Sequence, residues 1–516
     1  MSPPDTADPA APAAPGPDRS LARSAVRGLS WSMVGALGQA LLQLVSIVVL
    51  SRLLTAEEFG TAVAATVVMG LAVVLGQLGI GPALVQSRQL RDEDVATAFS
   101  VAAGLGVLLA AALFLAAPVI GPLVGLPADS WFLRLLSVVL VLGGLGSVSL
   151  GLLQRQLRFR ALVLVELGAY GVGYLGTTVA LASAGAGAAA LVWGQVVQAL
   201  VTAVGAYALV RHPVRPPSWP VAVRSARRVL GFGSAYSLAQ LGNWVGLNGD
   251  NLVVTSTLGP AALGAYSRAY QLLVQPANLI GTVADKVLFP ALSRIQDDRD
   301  RLARAYVLAG SLVALLTLPV SVLLLVLAPE VVAVLLGPGW TSVVLPLQVF
   351  AVVLLPRTAY KISGSLTRAT GAVLGGAWRQ WLYAAEVTVG CAVGSAWGVP
   401  GVAVGASVAI VAHFATMLVF SARISPGLVG RVLRSYARSL PVAVATAAAA
   451  WPAAALLRPS TPDAVVVLGT VVSGLLAAGA ALLASRRLFR DELSVLAAAR
   501  SRPAPPGRPP RTRPGV

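Results

Sequence analysis

The sequence predicts an all-α polytopic membrane protein with about fourteen transmembrane helices, and three observations carry that prediction. Of 516 residues, 57% are hydrophobic and only 11% charged, where an ordinary soluble domain is about a quarter charged. Apolar blocks of about 20 residues, the length that crosses a bilayer as a helix, follow one another with short polar breaks. The arginines collect in alternate breaks, as they do on the cytoplasmic side of membrane proteins. Too few polar residues are present to cover soluble domains of this total size, which excludes that class.

From the N-terminus, residues 1–22 are rich in Pro, Ala and Asp and are expected to form a disordered cytoplasmic tail. A signal peptide would open on its basic and apolar regions. Here the first apolar block follows Arg23 and Arg27 and is long enough to stay in the membrane. The spans then fall at about 29–51, 61–84, 95–121, 132–153, 161–183, 187–210, 229–256, 262–288, 304–328, 342–367, 377–397, 400–422, 437–457 and 463–485. With the N-terminus inside, the inner loops hold Arg88 and Arg91, Arg155 to Arg160, Arg211 to Arg228, Arg294 to Arg304, Arg368 and Arg379, and Arg423 to Arg438. Both termini are therefore expected in the cytoplasm, at the cytoplasmic membrane.

The net charge of +18 is thus a topology signal. Basic residues scattered between apolar blocks do not form the basic face with interleaved aromatics that nucleic acid requires. The single cysteine, Cys391, excludes an intrachain disulfide, and His212 and His413 stand alone, so neither a metal site nor a cofactor is expected.

The chain also repeats itself. Val49 to Gly60, at the junction of the first two spans, matches Val253 to Gly264, at the junction of the seventh and eighth, in its apolar residues and closing glycine. Gly81-Pro82-Ala83-Leu84 has its counterpart in Phe289-Pro290-Ala291-Leu292. This predicts two six-helix lobes, 23–212 and 229–424, related as parallel repeats around a central cavity and joined by a basic cytoplasmic loop at 213–228. An accessory helix pair at 425–487 and a basic Pro/Arg-rich cytoplasmic tail at 488–516 follow.

These residues carry a family resemblance. Ser51 to Gly60, Gly79 to Gln86, Asp250 to Val254, Leu263 to Tyr270, Phe289 to Asp298, and Leu336-Gly337 with Gly339-Trp340 together resemble the polysaccharide (O-antigen type) flippases of the multidrug/oligosaccharidyl-lipid/polysaccharide superfamily over about residues 28–425. The resemblance implies translocation of a polyprenyl-pyrophosphate-linked oligosaccharide from the inner to the outer leaflet by alternating access, without covalent chemistry. The implied partners are that lipid-linked oligosaccharide, membrane lipids, and a polysaccharide polymerase and glycosyltransferases. A peptidoglycan lipid-precursor flippase is a close rival that composition does not separate. A drug/cation antiporter of the same superfamily would want acidic residues in the first lobe, and the first helix has none. A membrane-embedded glycan polymerase would need paired carboxylates on a loop, whereas Glu57, Glu58, Asp129, Glu330 and Asp463 are far apart in the chain.

An ionisable side chain inside a span costs several kcal/mol unless paired or hydrated, so each is a candidate for function. Arg357 and Lys361 lie one turn apart in the tenth span, with Ser365 below and Arg368 near the inner end. A cationic stripe suits a pyrophosphate, which accepts paired bonds from Arg and point-charge contact from Lys; the structural alternative is that Glu386 neutralises both. Asp250, flanked by Asn248 and Asn251, is read either as a partner for Arg268 or as a site for a coupling ion while Arg268 faces the cavity. Gln39 and Gln43, one turn apart, are candidates to bond a sugar hydroxyl or a neighbouring helix. Asp285, Lys286 and Glu166 are close enough to the inner surface to be structural, and Gly171 to Gly176, which spells a dinucleotide fingerprint inside a span, is expected to be helix packing.

Overall fold

The computed structural model describes residues 17–77, 84, 90–126, 131–214, 240–370, 373–424, 426–490, 492 and 494. The Gly79–Gln86 motif apart from Leu84, together with Arg88, Asp129, the loop from Arg215 to Arg228 and the outermost parts of both tails, lies outside the described residues. So do the side chains of Asp285, Lys286, Phe289 and Pro290. Among the described residues all regular structure is helical, and the chain divides into two compact units, residues 1–244 and 245–516.

The first unit holds α1 (Pro17–Leu53), α2 (Ala56–Gln77), α3 (Asp92–Leu123), α4 (Trp131–Arg155), α5 (Phe159–Ser183) and α6 (Ala188–Leu209). α1 takes in residues 17–22 of the expected tail. The break between α1 and α2 is a capping box. Thr55 donates its N–H and hydroxyl to the Glu58 carboxylate at 2.8 and 3.0 Å, and the N–H of Glu58 donates to Thr55 Oγ1 at 3.2 Å. At α3 and α4 the backbones approach where Gly106 faces the carbonyl of Leu140 and Gly144 that of Ala102. Residues 169–176 of α5 form a π-helical turn, and Gly173 there sits against the backbone of Gln198 on α6. That is the close packing expected of this glycine run.

The second unit begins inside α7 (240–258), sixteen residues beyond the expected loop, because Trp244 is buried against Gly70 in the first unit. It continues with α8 (Pro260–Ser293), α9 (Arg299–Leu335), α10 (Val344–Val352), α11 (Leu354–Ala369), α12 (Val373–Gly394), α13 (Gly398–Ser421), α14 (Leu428–Leu457) and α15 (Asp463–Ala484). Gly259, at φ +83°, and Pro260 at the first helical position make the α7–α8 turn. Gly259 stands 204 positions after Thr55, so the repeat read from the sequence is a repeat of helix breaks. α12 and α13 form an antiparallel hairpin in which Gly390 meets Gly405 and Gly394 meets Gly401 backbone to backbone.

Large apolar side chains such as Leu115 and Leu456 are three-quarters exposed, which suits a lipid solvent. Ten helices are long and apolar enough to cross a membrane, or eleven with the bent pair α10–α11, among the described residues. The hairpin Trp378–Ser421 counts once in that total.

The accessory pair α14–α15 packs on α9 through Leu323, Val326 and Leu327 against Ala450, Ala454 and Val466. In the tail expected from residue 488, Phe489 is buried against Val442 and Ala478: an aromatic ring next to the membrane gains more by docking than by solvation.

Candidate functional site

The ionisable residues of the second unit converge because of a broken helix. Pro356 has no N–H, and its ring would clash with the carbonyl of Val352 four residues earlier, so the helix breaks at Val353 and α11 leaves α10 at 50°. Arg357 is placed in the first turn of α11, where its own N–H bonds to the carbonyl of Val353 at 2.9 Å. A half-helix N-terminus inside a span already favours an anion. Arg357 adds a full charge there and is only 4% exposed.

Aromatic rings surround that charge. The guanidinium carbon of Arg357 lies 5.6 Å from the Tyr270 ring centre and 5.5 Å from that of Tyr360, and Nη1 donates to the Tyr360 hydroxyl at 3.0 Å. Tyr270 stacks on Tyr266, and both meet Phe350 edge-on. Tyr360 and Tyr383 flank His413. The Tyr266 hydroxyl donates to Asp250 Oδ2 at 2.8 Å, and the N–H of Asn251 donates to Oδ1 at 2.8 Å. A contiguous chain of contacts therefore runs Asp250, Tyr266, Tyr270, Arg357. Gly246 and Gly249 let α7 approach α12 at Tyr383 and Thr388, which brings Asp250 into this cluster.

Of the alternatives left open by the sequence, the geometry disfavours two. The Asp250 carboxylate takes its hydrogen bonds from Tyr266 and Asn251 rather than from Arg268, whose Nη1 donates to Gln271 at 2.9 Å and whose guanidinium lies over Trp340. Tyrosine and a backbone amide hold the carboxylate at less desolvation cost than a second buried ion would. Glu386 does not neutralise Arg357 and Lys361: its Oε2 has no hydrogen-bond partner among the described residues. Lys361 crosses instead to α8, donating to Asn278 Oδ1 at 2.8 Å and to the carbonyl of Ala277 at 3.3 Å over Gly281.

Arg357 and Lys361 thus share the α8 seam, Arg357 through Tyr270 and Lys361 through Asn278. Asn248 is half-buried on α7. Gln39 and Gln43 are half-buried on α1 in the first unit. Unassigned by sequence reasoning were the tyrosines: Tyr266 and Tyr270, four apart and hence on one helix face, were the available signal. Chemically, the cluster offers a buried cation with neutral partners for an anion and a buried carboxylate able to meet a cation.

A model of a family described as polysaccharide biosynthesis protein matches residues 49–345, a segment that holds Asp250, Tyr266, Arg268 and Tyr270 and ends before Arg357. The chain is 27% identical over 354 residues to the lipopolysaccharide biosynthesis protein WzxC of Escherichia coli (strain K12), covering 69% of this chain and 72% of that protein. It is 31% identical over 324 residues to the succinoglycan biosynthesis transport protein ExoT of Rhizobium meliloti (strain 1021), covering 62% and 64%. Its fold is similar to that of the lipid II flippase MurJ in an inward closed conformation, with a TM-score of 0.68 at 15% identity over 90% of this chain and 100% of that one.

Proposed function

Because the chain belongs to the polysaccharide biosynthesis protein family, we propose that it is a flippase carrying a polyprenyl-pyrophosphate-linked oligosaccharide from the inner to the outer leaflet of the cytoplasmic membrane by alternating access. The observation that supports this substrate is Arg357: a cation 4% exposed inside a membrane-spanning unit, hydrogen-bonded to neutral Tyr360. Such a group retains charge for a phosphate, which takes fork-like bonds from arginine in a medium where electrostatic contacts are strong. Lys361, one turn along, supplies the second charge for a diphosphate. The action is transport and needs no covalent step. A polymerase and glycosyltransferases acting on the same glycan are its functional partners, and Asp250 takes the coupling cation.

The test is export of surface polysaccharide in cells carrying R357Q/K361Q, with membrane insertion verified. Loss of export with normal insertion is expected, and unchanged export rejects the cationic site. For the orientation with both termini cytoplasmic, reporter fusions at Arg215 and Gly337 should report opposite sides of the membrane; the same side for both rejects it.

A further inference from the structure

A second basic site lies apart from Arg357 in the second unit, where Arg299, at the start of α9, and Arg423, just after α13, line one cavity. A cavity of about 370 Å³ opens there between α9, α11 and α13, within the roughly 300–1,000 Å³ usual for small-molecule sites. Arg299 and Arg423 line it, and Leu302, Leu366 and Phe420 give it an apolar wall. Phe420 also carries a further cation. The guanidinium of Arg379, itself 6% exposed, stands 3.8 Å from that ring centre, and that of Arg423 stands 5.5 Å from it. Two arginines sharing one ring repel each other, and an anion in the adjoining cavity would relieve that repulsion. Asp298 and Asp300 flank Arg299 in sequence, and Asp298 is paired with Arg301 at 3.2 Å.

The hydroxyls narrow the choice of anion. Thr367, Thr370 and Ser421 face the cavity, and each donates its proton to a backbone carbonyl of its own helix, at 2.7, 3.0 and 2.9 Å. They present lone pairs, so they accept from a ligand; donation to the anion falls to the arginines and to the amide of Gln296, which also lines the cavity. A phosphate ester that carries its own hydroxyl groups matches both halves. The cavity is at the end of membrane-spanning helices, where basic pockets meet acidic lipid head groups.

We propose that this cavity seats a hydroxyl-bearing phosphate ester, of which the phosphoglycerol head of an acidic membrane lipid is the source placed at this depth. The experiment is native mass spectrometry of the full-length protein in detergent, offered phosphatidylglycerol, phosphatidylcholine or glycerol 3-phosphate. Phosphatidylglycerol should be retained about tenfold more than phosphatidylcholine, and R299Q/R423Q should lose that preference, a difference of about 1.4 kcal/mol. R299K/R423K, which keeps the charge, should keep most of it, and R134Q, whose arginine lies over Phe114 in the first unit, should match the wild type. Displacement of the lipid by an equal concentration of glycerol 3-phosphate supports the phosphate-ester chemistry with a soluble source. Retention of the preference by a monodisperse R299Q/R423Q protein, or equal retention of both lipids by the wild type, overturns the proposal.

Discussion

The hydroxyl of Tyr266 donates to the carboxylate of Asp250 at 2.8 Å, with both residues all but sealed from solvent. That bond stabilises the charged carboxylate, so if Asp250 takes the coupling cation as proposed, it opposes binding of that cation. Removing it as Y266F should strengthen cation binding by about 1 kcal/mol. The cation concentration for half-maximal transport in proteoliposomes should then fall about fivefold. D250N should transport without dependence on the cation gradient, and dependence retained by that protein rejects Asp250 as the coupling site.

Arg357 interacts with Tyr360 by hydrogen bond and ring, and with Tyr270 by ring alone. A desolvated cation–π contact is worth about 2 kcal/mol, a neutral hydrogen bond about 1. Y270L should therefore cut flipping of a fluorescent lipid-linked oligosaccharide about tenfold or more, and Y360F only a few-fold. Equal rates for wild type and Y270L would show that the ring does not position the guanidinium.

The spans were legible because each is a long apolar run, and the α1–α2 break because Thr55 and Glu58 spell a capping box. Arg357, Lys361 and Asp250 were legible as charges in apolar surroundings. Their partners were not, since a carboxylate and an arginine in neighbouring spans suggest each other by charge, whereas tyrosines meet Arg357 and Asp250 here and Asn278 meets Lys361. The break at Val353 was hidden in an apolar block; Pro356 was its only mark. Phe489 was masked by the basic, proline-rich composition of the residues after it.

The α12–α13 hairpin depends on the absence of side chains at Gly390 and Gly405. A Cβ on Gly390 would stand 2.8 Å from the carbonyl oxygen of Gly405. Alanine normally gains about 1 kcal/mol over glycine in a helix, but overpacking costs about 1–3 kcal/mol, so the clash wins. G390A should lower the melting temperature of the detergent-solubilised protein. G104A, where no atom lies within 4 Å of the added carbon, should leave it unchanged or raise it. An unchanged melting temperature for G390A means that the hairpin can separate at no cost.

Arg458, just after α14, donates from Nε to Glu330 Oε1 at 2.6 Å and from Nη2 to the carbonyl of Val326 at 2.9 Å. Glu330, expected on an outer loop, is a buried residue near the end of α9, so this pair fastens the end of α14 to α9 within the second unit. The hydrogen bond to Glu330 raises the Arg458 guanidinium above its ordinary value despite the opposing effect of burial. A cation whose folded value is raised contributes its full stability below its unfolded value, so the contribution should be constant from about pH 7 to 10. R458A strands a buried carboxylate and should cost about 2 kcal/mol, reduced from the fully buried case because the Arg458 side chain is 44% exposed. The paired replacement E330L/R458L removes both charges and should recover most of the loss in melting temperature. An R458A protein as stable as the wild type would show that α14 and α15 are held by their apolar contacts with Leu323, Val326 and Leu327 and not by this pair.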